Sequence, residues 1–545
     1  MSVFEDAKQL RGWYDRVRSG RQNVDNIRQL IADHGIGSRN FTRRTRQAEI
    51  RTDTIFDSTT SQSNQLLGGY LAGTMTNPYI DYFELMPDDR ALLDDDDARH
   101  WLDDTKQRLL RQQRDTRSGF LTQSAEIYLD LPGFGMGAMS CMPNRKLGMP
   151  SFTSHALSEI YVQLNESRQV DTIFRCLPLT ARQWAQRFPK DKDASVVKAL
   201  ESGNTESEFE AVQVLAPSDD PYAGQSPFRK PITSVYFTVS GVPRILETNG
   251  FNSMPIKTPR WSVEPGEVYG SGPGRIALPN TMMLNQVMRT IITYAQKSSD
   301  PPLQAVNEAI LDGIRTHPGG VTYIQQLFGM SGSSLAIQPL PLNPDHRLTV
   351  DLLNRIQLDV RNAFYAQLLQ LFTDSNMSAT QVIELSKQIQ QLLAPILGRV
   401  QTEWVEPILD RQLEVSLQMG LLLPIPTSLR GQEIRPVFQS PVARVARAQE
   451  GRATMEMVQA AAAVAQSLGS PAPLDLIDAD AVIRTLHTAQ SAPFSILRTR
   501  DAIEQLREQR QQQQEQQQGL DQLGQGAEIA GTLAKAENEL VAQAA

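Results

Sequence analysis

RWSVEPGEVYGSGPGRIALPNTMMLNQ, residues 260–286, sets four glycines and three prolines in front of an apolar helical pattern. Glycines ahead of a helix start suit a phosphate cradle, or a backbone that turns tightly or lies against a neighbour. Gly266, Gly270, Gly272 and Gly274 do not have GxGxxG spacing after a strand, and GxxxxGK[ST] occurs nowhere in the chain. The lysine and hydroxyl of a phosphate loop are therefore missing, and PGFGMG at 132–137 lacks them too. The reading is backbone geometry: a bend, or a close approach, that delivers the chain into a helix. That helix is predicted from Asn280 to Lys297, with Met282, Met283, Val287, Ile291 and Tyr294 near one face and Pro301-Pro302 as its stop.

The chain has 545 residues, 40% of them hydrophobic, enough for several packed layers and a large core. Its formal net charge of −8 argues against a concentrated basic face that grips DNA, although such a chain can surround DNA without gripping it. Cys141 and Cys176 form no CxxC pair, so no disulfide framework is expected. The charged start MSVFEDAKQLRGWYDRVRSG has no apolar run of signal-peptide type, and no stretch reaches the ~18 apolar residues that span a bilayer. A soluble chain without membrane contact is expected. The six histidines are scattered without HExxH, and Ser271 is not in GxSxG. Asp94–Asp97 reads as acids at a helix start, because consecutive side chains diverge too much for a metal site. No enzyme, metal or cofactor is expected.

The fold class read from patterning is α+β, mainly α. Helical spacing runs from Phe4 to about His34, again after Asp57-Ser58-Thr59 as far as Asn77-Pro78, and from Asp94 to about Leu131. Gly68, Gly69 and Gly73 flank the stripe of the second of these helices and permit close contact. Alternation at 152–186 and 233–247 reads as an antiparallel sheet, separated by a polar insertion with some helix. A long helix is predicted over Thr349–Phe372 and another over Ala379–Met419, the latter kinked by Pro395 and Pro407 and opened by Ser378 and Gln381 at capping-box spacing. Beyond a Pro-rich linker come a short strand and an Ala-rich helix, Arg447–Leu468. The Gln-rich tail reads as a polar helix or as disorder. FTRRTRQAEIR, residues 41–51, is the densest basic stretch; a solvated surface is the favoured reading, with nucleic acid or an acidic partner as the alternative.

Several segments in order carry a resemblance. They are FDSTTSQSNQLLGGYLAGTMTNP with YFEL, PGFGMGAM, PRWSVEPGEVYGSGPGRIALPNTMMLNQV, KSSDPPLQAV, MSATQVIELSKQIQQLLAPILGRVQTEWVEPILDR, PIP and FQSPVARVARAQ. Together, over about residues 50–450, they resemble the portal, or head-to-tail connecting, proteins of short-tailed bacteriophages. The resemblance implies a phage portal fold of wing, two-helix stem, clip and crown, with a C-terminal helical barrel as an extension. It implies a dodecameric ring at one capsid vertex through which double-stranded DNA is packaged and ejected. On it, 1–279 is the first part of the wing, 280–299 the first stem helix, 300–345 the clip, and 346–372 the second stem helix. Residues 373–378 are the channel loop, 379–430 the long kinked wing helix, 431–490 the crown, and 491–545 the barrel or a disordered tail. The bend Gly266, Gly270, Gly272, Gly274 and Pro279 becomes the wing-to-stem turn. Thr373, Asp374, Ser375, Asn376, Met377 and Ser378 form either a flexible constriction or an ordinary helix–helix turn.

Arg289, Lys297, Arg355 and Arg361 on the stem are candidates either for weak DNA-backbone contacts or for subunit interfaces. The implied partners are other copies of the chain, DNA, the terminase large subunit as a separate ATPase docked on the clip, and then a tail adaptor. Major capsid and scaffolding proteins, and internal core or ejection proteins, complete the set. The implied location is the virion, after assembly in the host cytoplasm. A mainly acidic or neutral wall suits sliding, because each phosphate–lysine contact adds affinity that slows passage. A cytosolic enzyme with a pocket in the 150–260 sheet region, and a helical scaffold or adaptor without a DNA-conducting role, are the rival readings.

Overall fold

The computed structural model describes residues 3–42, 53–77, 79–89, 92–93, 95–191, 193–220, 230–299, 303–305, 337–339, 346–370, 379–439, 441–469, 472, 474–489, 502–503 and 505–513. In chain order its elements are α1 (Ala7–Gly20), α2 (Gln22–His34), α3 (Thr59–Met75), β1 (Phe83–Pro87), α4 (Asp96–Arg114) and α5 (Phe120–Phe134). Next come β2 (Met139–Asn144), β3 (Met149–Ser154), β4 (Ile160–Leu164), β5 (Val170–Thr180), α6 (Ala181–Arg187), α7 (Ala194–Glu201), β6 (Glu208–Pro217), β7 (Ile232–Thr238), β8 (Ile245–Phe251) and β9 (Ile256–Lys257). Then follow α8 (Pro273–Ser299), β10 (Leu303–Ala305), β11 (Ile337–Pro339), α9 (His346–Ala363), α10 (Ala366–Gln370), α11 (Ala379–Val400), α12 (Glu406–Gln418), β12 (Ile434–Phe438), α13 (Pro441–Leu468) and α14 (Ala479–Ala489). They fall into two compact units, Met1–Tyr82 with Leu110–Leu421, and Phe83–Leu109 with Leu422–Ala545.

The first unit is organised around an antiparallel sheet of order β4-β5-β6-β7-β8. Its middle strand is covered on both faces. Val212 and Val214 point to a core shared with Leu10, Trp13 and Tyr14 of α1. Ala211 packs with Trp184 of α6, Phe188 just after it and Val196 of α7, and Leu215 with Ile31, Phe134 and Tyr269. Side chains alternate along the strand, but both sets are buried, so β6 reads as a near-continuous apolar run. Local chemistry sets the helix starts. Asp6 accepts a hydrogen bond from Lys8 N at 2.8 Å before α1, and Thr180 with Gln183 forms a capping box before α6.

In the second unit β1 pairs with β12, Phe83 opposite Phe438 and Pro87 opposite Ile434. The Trp101 indole donates to Leu423 O at 3.0 Å, and Arg447 reaches Glu84 at 3.3 Å. Gly451 on α13 lets α14 approach, since a Cβ there would lie 2.7 Å from the Ala489 methyl.

The structure departs from the sequence expectations at identifiable points. Helix to Leu131 is interrupted between α4 and α5, where Asp115 caps a short 3-10 turn and Gly119 takes φ +76°. Strands β2 and β6 were not anticipated. The helix expected from Asn280 begins at Pro273, which places Gly274 and Pro279 inside α8. Proline at the first helical position has its φ preset and needs no hydrogen-bond partner for a missing N–H. The helix predicted over 349–372 ends at Ala363, and Tyr365 at φ +56° separates α9 from α10. The helix over 379–419 contains a π-helical turn, Gln401–Val405, between α11 and α12, next to Pro407. Most of 300–345 and 491–545, together with 43–51, Asp94 and Ser378, lies outside the described residues.

Candidate functional site

The stretch that opens the argument meets the other glycine-rich segment of the chain. Gly135, at φ +80°, ends α5, and its carbonyl accepts from Trp261 N at 2.9 Å. Gly137 N donates to Pro259 O at 2.9 Å, and Ser271 N to Ser262 O at 2.7 Å. The two segments thus cross backbone on backbone. A Cβ at Gly270 would lie 2.1 Å from Gly135 O, one at Gly272 2.5 Å from Pro132 O, and one at Gly274 2.1 Å from Gly133 O. Such distances admit no side chain without displacing main chain. Only Gly266 of this group takes a positive φ, +94°, and its Cβ position is open. Gly266 therefore serves the turn, and Gly270, Gly272 and Gly274 serve the close approach. The carbonyl-bearing end of α5 abuts the amide-bearing start of α8, so opposite helix poles face each other.

A buried ion pair fastens the same loop to the π turn. Arg260 is 4% exposed. Its Nε and main-chain N donate to Glu403 Oε2, both at 3.0 Å, and its Nη2 donates to Oε1 at 2.8 Å. Paired donors on both carboxylate oxygens fix orientation as well as charge. Arg399 lies 3.6 Å from the same carboxylate.

Polar groups then clip the roots of α8 and α9 to the start of α3. Asn285 Oδ1 accepts from Phe56 N at 2.8 Å, and its Nδ2 donates to His34 O at 2.7 Å. The Thr60 and Thr281 hydroxyls lie 2.9 Å apart, and Gln357 Nε2 donates to Asp57 Oδ2 at 2.9 Å. The beginning of α8 and the end of α9 therefore meet at one place, and the two packed helices run antiparallel. From Gln286 to Ser299 no residue is buried, and on α9 burial among the described side chains begins at Ile356. The hairpin's far half leaves Ile292, Val350 and Leu352 exposed.

Arg289 and Lys297 lie exposed on that far half of α8, and Arg355 and Arg361 are exposed on α9. None of the four makes an ion pair among the described residues. Pro279 sits within α8. Thr373, Asp374, Ser375, Asn376, Met377 and Ser378 lie outside the described residues. Sequence reasoning treated PGFGMG and GSGPG as separate turns. It missed their crossing, the Arg260–Glu403 pair and the Asn285 clip, all joining residues far apart in the chain.

A model of the family described as bacteriophage head to tail connecting protein matches residues 7–497. The chain belongs to this family. It is similar to the portal protein of Salmonella phage epsilon15, 26% identical over 489 residues, covering 87% of this chain and 85% of the relative. It is also similar to a probable portal protein of Bordetella phage BPP-1, 25% identical over 543 residues, covering 98% and 96%. A chain of a structure titled "Neck of native GTA particle computed with C12 symmetry" aligns at 13% identity and a TM-score of 0.32, over 73% of this chain and 85% of that one, a likeness that carries no argument. The function at this level is that of a portal protein in a phage head-to-tail connector, a structural part of the virion at the head–tail junction. The resemblance stated from the motifs is thus the family itself, and the fold is mainly helical with sheets.

Proposed function

We propose that copies of this chain close into a dodecameric ring in which the α8–α9 hairpins surround a channel for double-stranded DNA. The observation that carries the reading is the contrast along the hairpin. Its root is fixed by buried hydrogen bonds, while its far half leaves Ile292, Val350 and Leu352 exposed. A cluster of exposed aliphatic side chains on a rigid support marks a protein contact. In a ring, each subunit presents one surface to one neighbour and a different surface to the next. The exposed cations Arg289, Lys297, Arg355 and Arg361 are few, and the chain is acidic overall, which suits a wall that DNA slides past.

On this reading the segments keep the roles of wing, stem, clip, channel loop, crown and barrel given above, with the stem beginning at Pro273. The terminase large subunit and then a tail adaptor dock at 300–345. Capsid, scaffolding and internal core or ejection proteins meet the remaining surfaces, and assembly takes place in the host cytoplasm. The test is a full-length Ile292→Ser, Leu352→Ser variant. It should keep the wild-type melting midpoint as a single chain yet fail to form rings in sedimentation. Rings formed at wild-type concentration would overturn the assignment of the hairpin to the subunit interface.

A further inference from the structure

Four arginines are buried among the described residues, and three of them hold a carboxylate. Arg21 meets Asp25 at 2.9 Å, Arg260 meets Glu403 at 2.8 Å, and Arg411 meets Glu414 at 2.9 Å. Arg28 on α2, 2% exposed, has no carboxylate partner among the described residues. Its Nε donates to Phe134 O at 3.3 Å, its Nη2 approaches the Met136 sulfur at 3.8 Å, and its buried Nη1 has no partner. The guanidinium lies 5.4 Å from the Tyr269 ring centre and 6.0 Å from that of Phe41. Burial pulls its pKa down to about 10, so it is still charged at neutral pH. The acids that act on it, Asp25 and Asp130, are bonded to Arg21 and Arg39.

Arg28 lines a pocket of about 360 Å³ bounded by Val24 and Ile27, the loop Gly266–Gly272, and Arg275. The start of α8 forms part of this wall, and a helix N-terminus favours negative charge. Glu267 also lines the pocket, but both its oxygens are taken by Arg275 at 3.1 Å. A water molecule would supply Nη1 with an acceptor but no countercharge, and an unpaired buried charge is costly.

We propose that this pocket binds an anionic oxygen group, a phosphate or a carboxylate, held by Arg28 and the N-terminal end of α8. The group comes from one of two sources, a free anion or an acidic side chain of a second copy of the chain. The site is independent of the DNA-channel reading, because the pocket is complete within one chain.

Calorimetric titration of the full-length, unassembled chain with inorganic phosphate, and separately with acetate, against sodium chloride of equal ionic strength tests it. One anion should bind per chain. Arg28→Gln should weaken binding by about tenfold or more, the size expected for a lost charge-assisted hydrogen bond. Arg28→Lys keeps the charge and loses the fork. It should also weaken binding, and it serves if the glutamine variant fails to fold. Repeating the titration on assembled rings separates the sources: continued binding identifies a free anion, and blocked binding identifies a neighbour's carboxylate. Absence of anion binding by the unassembled chain, or unchanged binding by Arg28→Lys, would overturn the proposal.

Discussion

Between Pro273 and Asn285, α8 is held by main chain packed on main chain and by buried hydrogen bonds, whereas from Gln286 to Ser299 it has no buried residue at all. The first half is specified within one chain, down to positions where a single methyl group does not fit. The second half is a helix whose apolar side chains have too few intrachain neighbours to bury them. A ring subunit needs both: a rigid root that sets the angle of the hairpin, and a free surface that only other copies cover.

The comparison is tested hardest at the root. Gly270→Ala places a methyl carbon 2.1 Å from the main-chain Gly135 O and 3.0 Å from Arg260 Cβ. Overpacking of this kind should cost about 3 kcal/mol, read from the denaturant midpoint. Gly73→Ala is the control, because Gly73 lies inside helix α3 with nothing within 4 Å of its Cβ position. It should instead stabilise by about 0.5–1 kcal/mol through helix propensity. Equal effects at the two glycines would break the argument that backbone approach, rather than glycine content, fixes the root.

A smaller effect separates the body from the hairpin by pH. His155 is buried, with its Nε2 2.9 Å from Ser140 Oγ, and burial followed by the charge of Arg175 lowers its pKa from 6.5 to about 3. The folded state therefore holds the neutral ring, and the unfolded chain binds the extra proton below pH 6.5. This contribution is complete above that pH and is lost as pH falls towards about 3, at about 1.4 kcal/mol per unit, or ~2 kcal/mol by about pH 5. His155→Asn should flatten the pH dependence of stability over that window, as measured by denaturation at several pH values. An unchanged slope would mean that other groups set the acid limit.

Much of this was legible in the residues, for physical reasons. Long helices with 3–4 spacing announce themselves, so α1–α3 and α8 were found. Strands rich in β-branched and aromatic residues, such as β4, were found too, but β6, which is covered on both faces and follows a polar insertion, was missed. Helix ends were blurred where the deciding residue is ambiguous. Pro273 reads as a turn until it is seen as the first residue of α8, and Tyr365 gives no local sign that it will take a left-handed conformation. Glycine spacing pointed to backbone geometry, a turn or a close approach. It carried no information that Gly270 lies on Gly135, because that pairing depends on the whole fold. The sequence likewise showed where the basic residues are, but not that Arg28 has no direct carboxylate partner among the described residues. Of the three glycines flanking the α3 stripe, Gly68 lies so close to α5 that a Cβ there would be 2.9 Å from Tyr128 O, while Gly69 and Gly73 face open space.

Negative-stain imaging of the purified full-length protein tests the central claim most directly. The account predicts closed rings of twelve subunits around a central hole, with the hairpin half of each subunit facing the axis. Uniform single chains or compact dimers without a hole, at concentrations where the protein is folded and soluble, would contradict it.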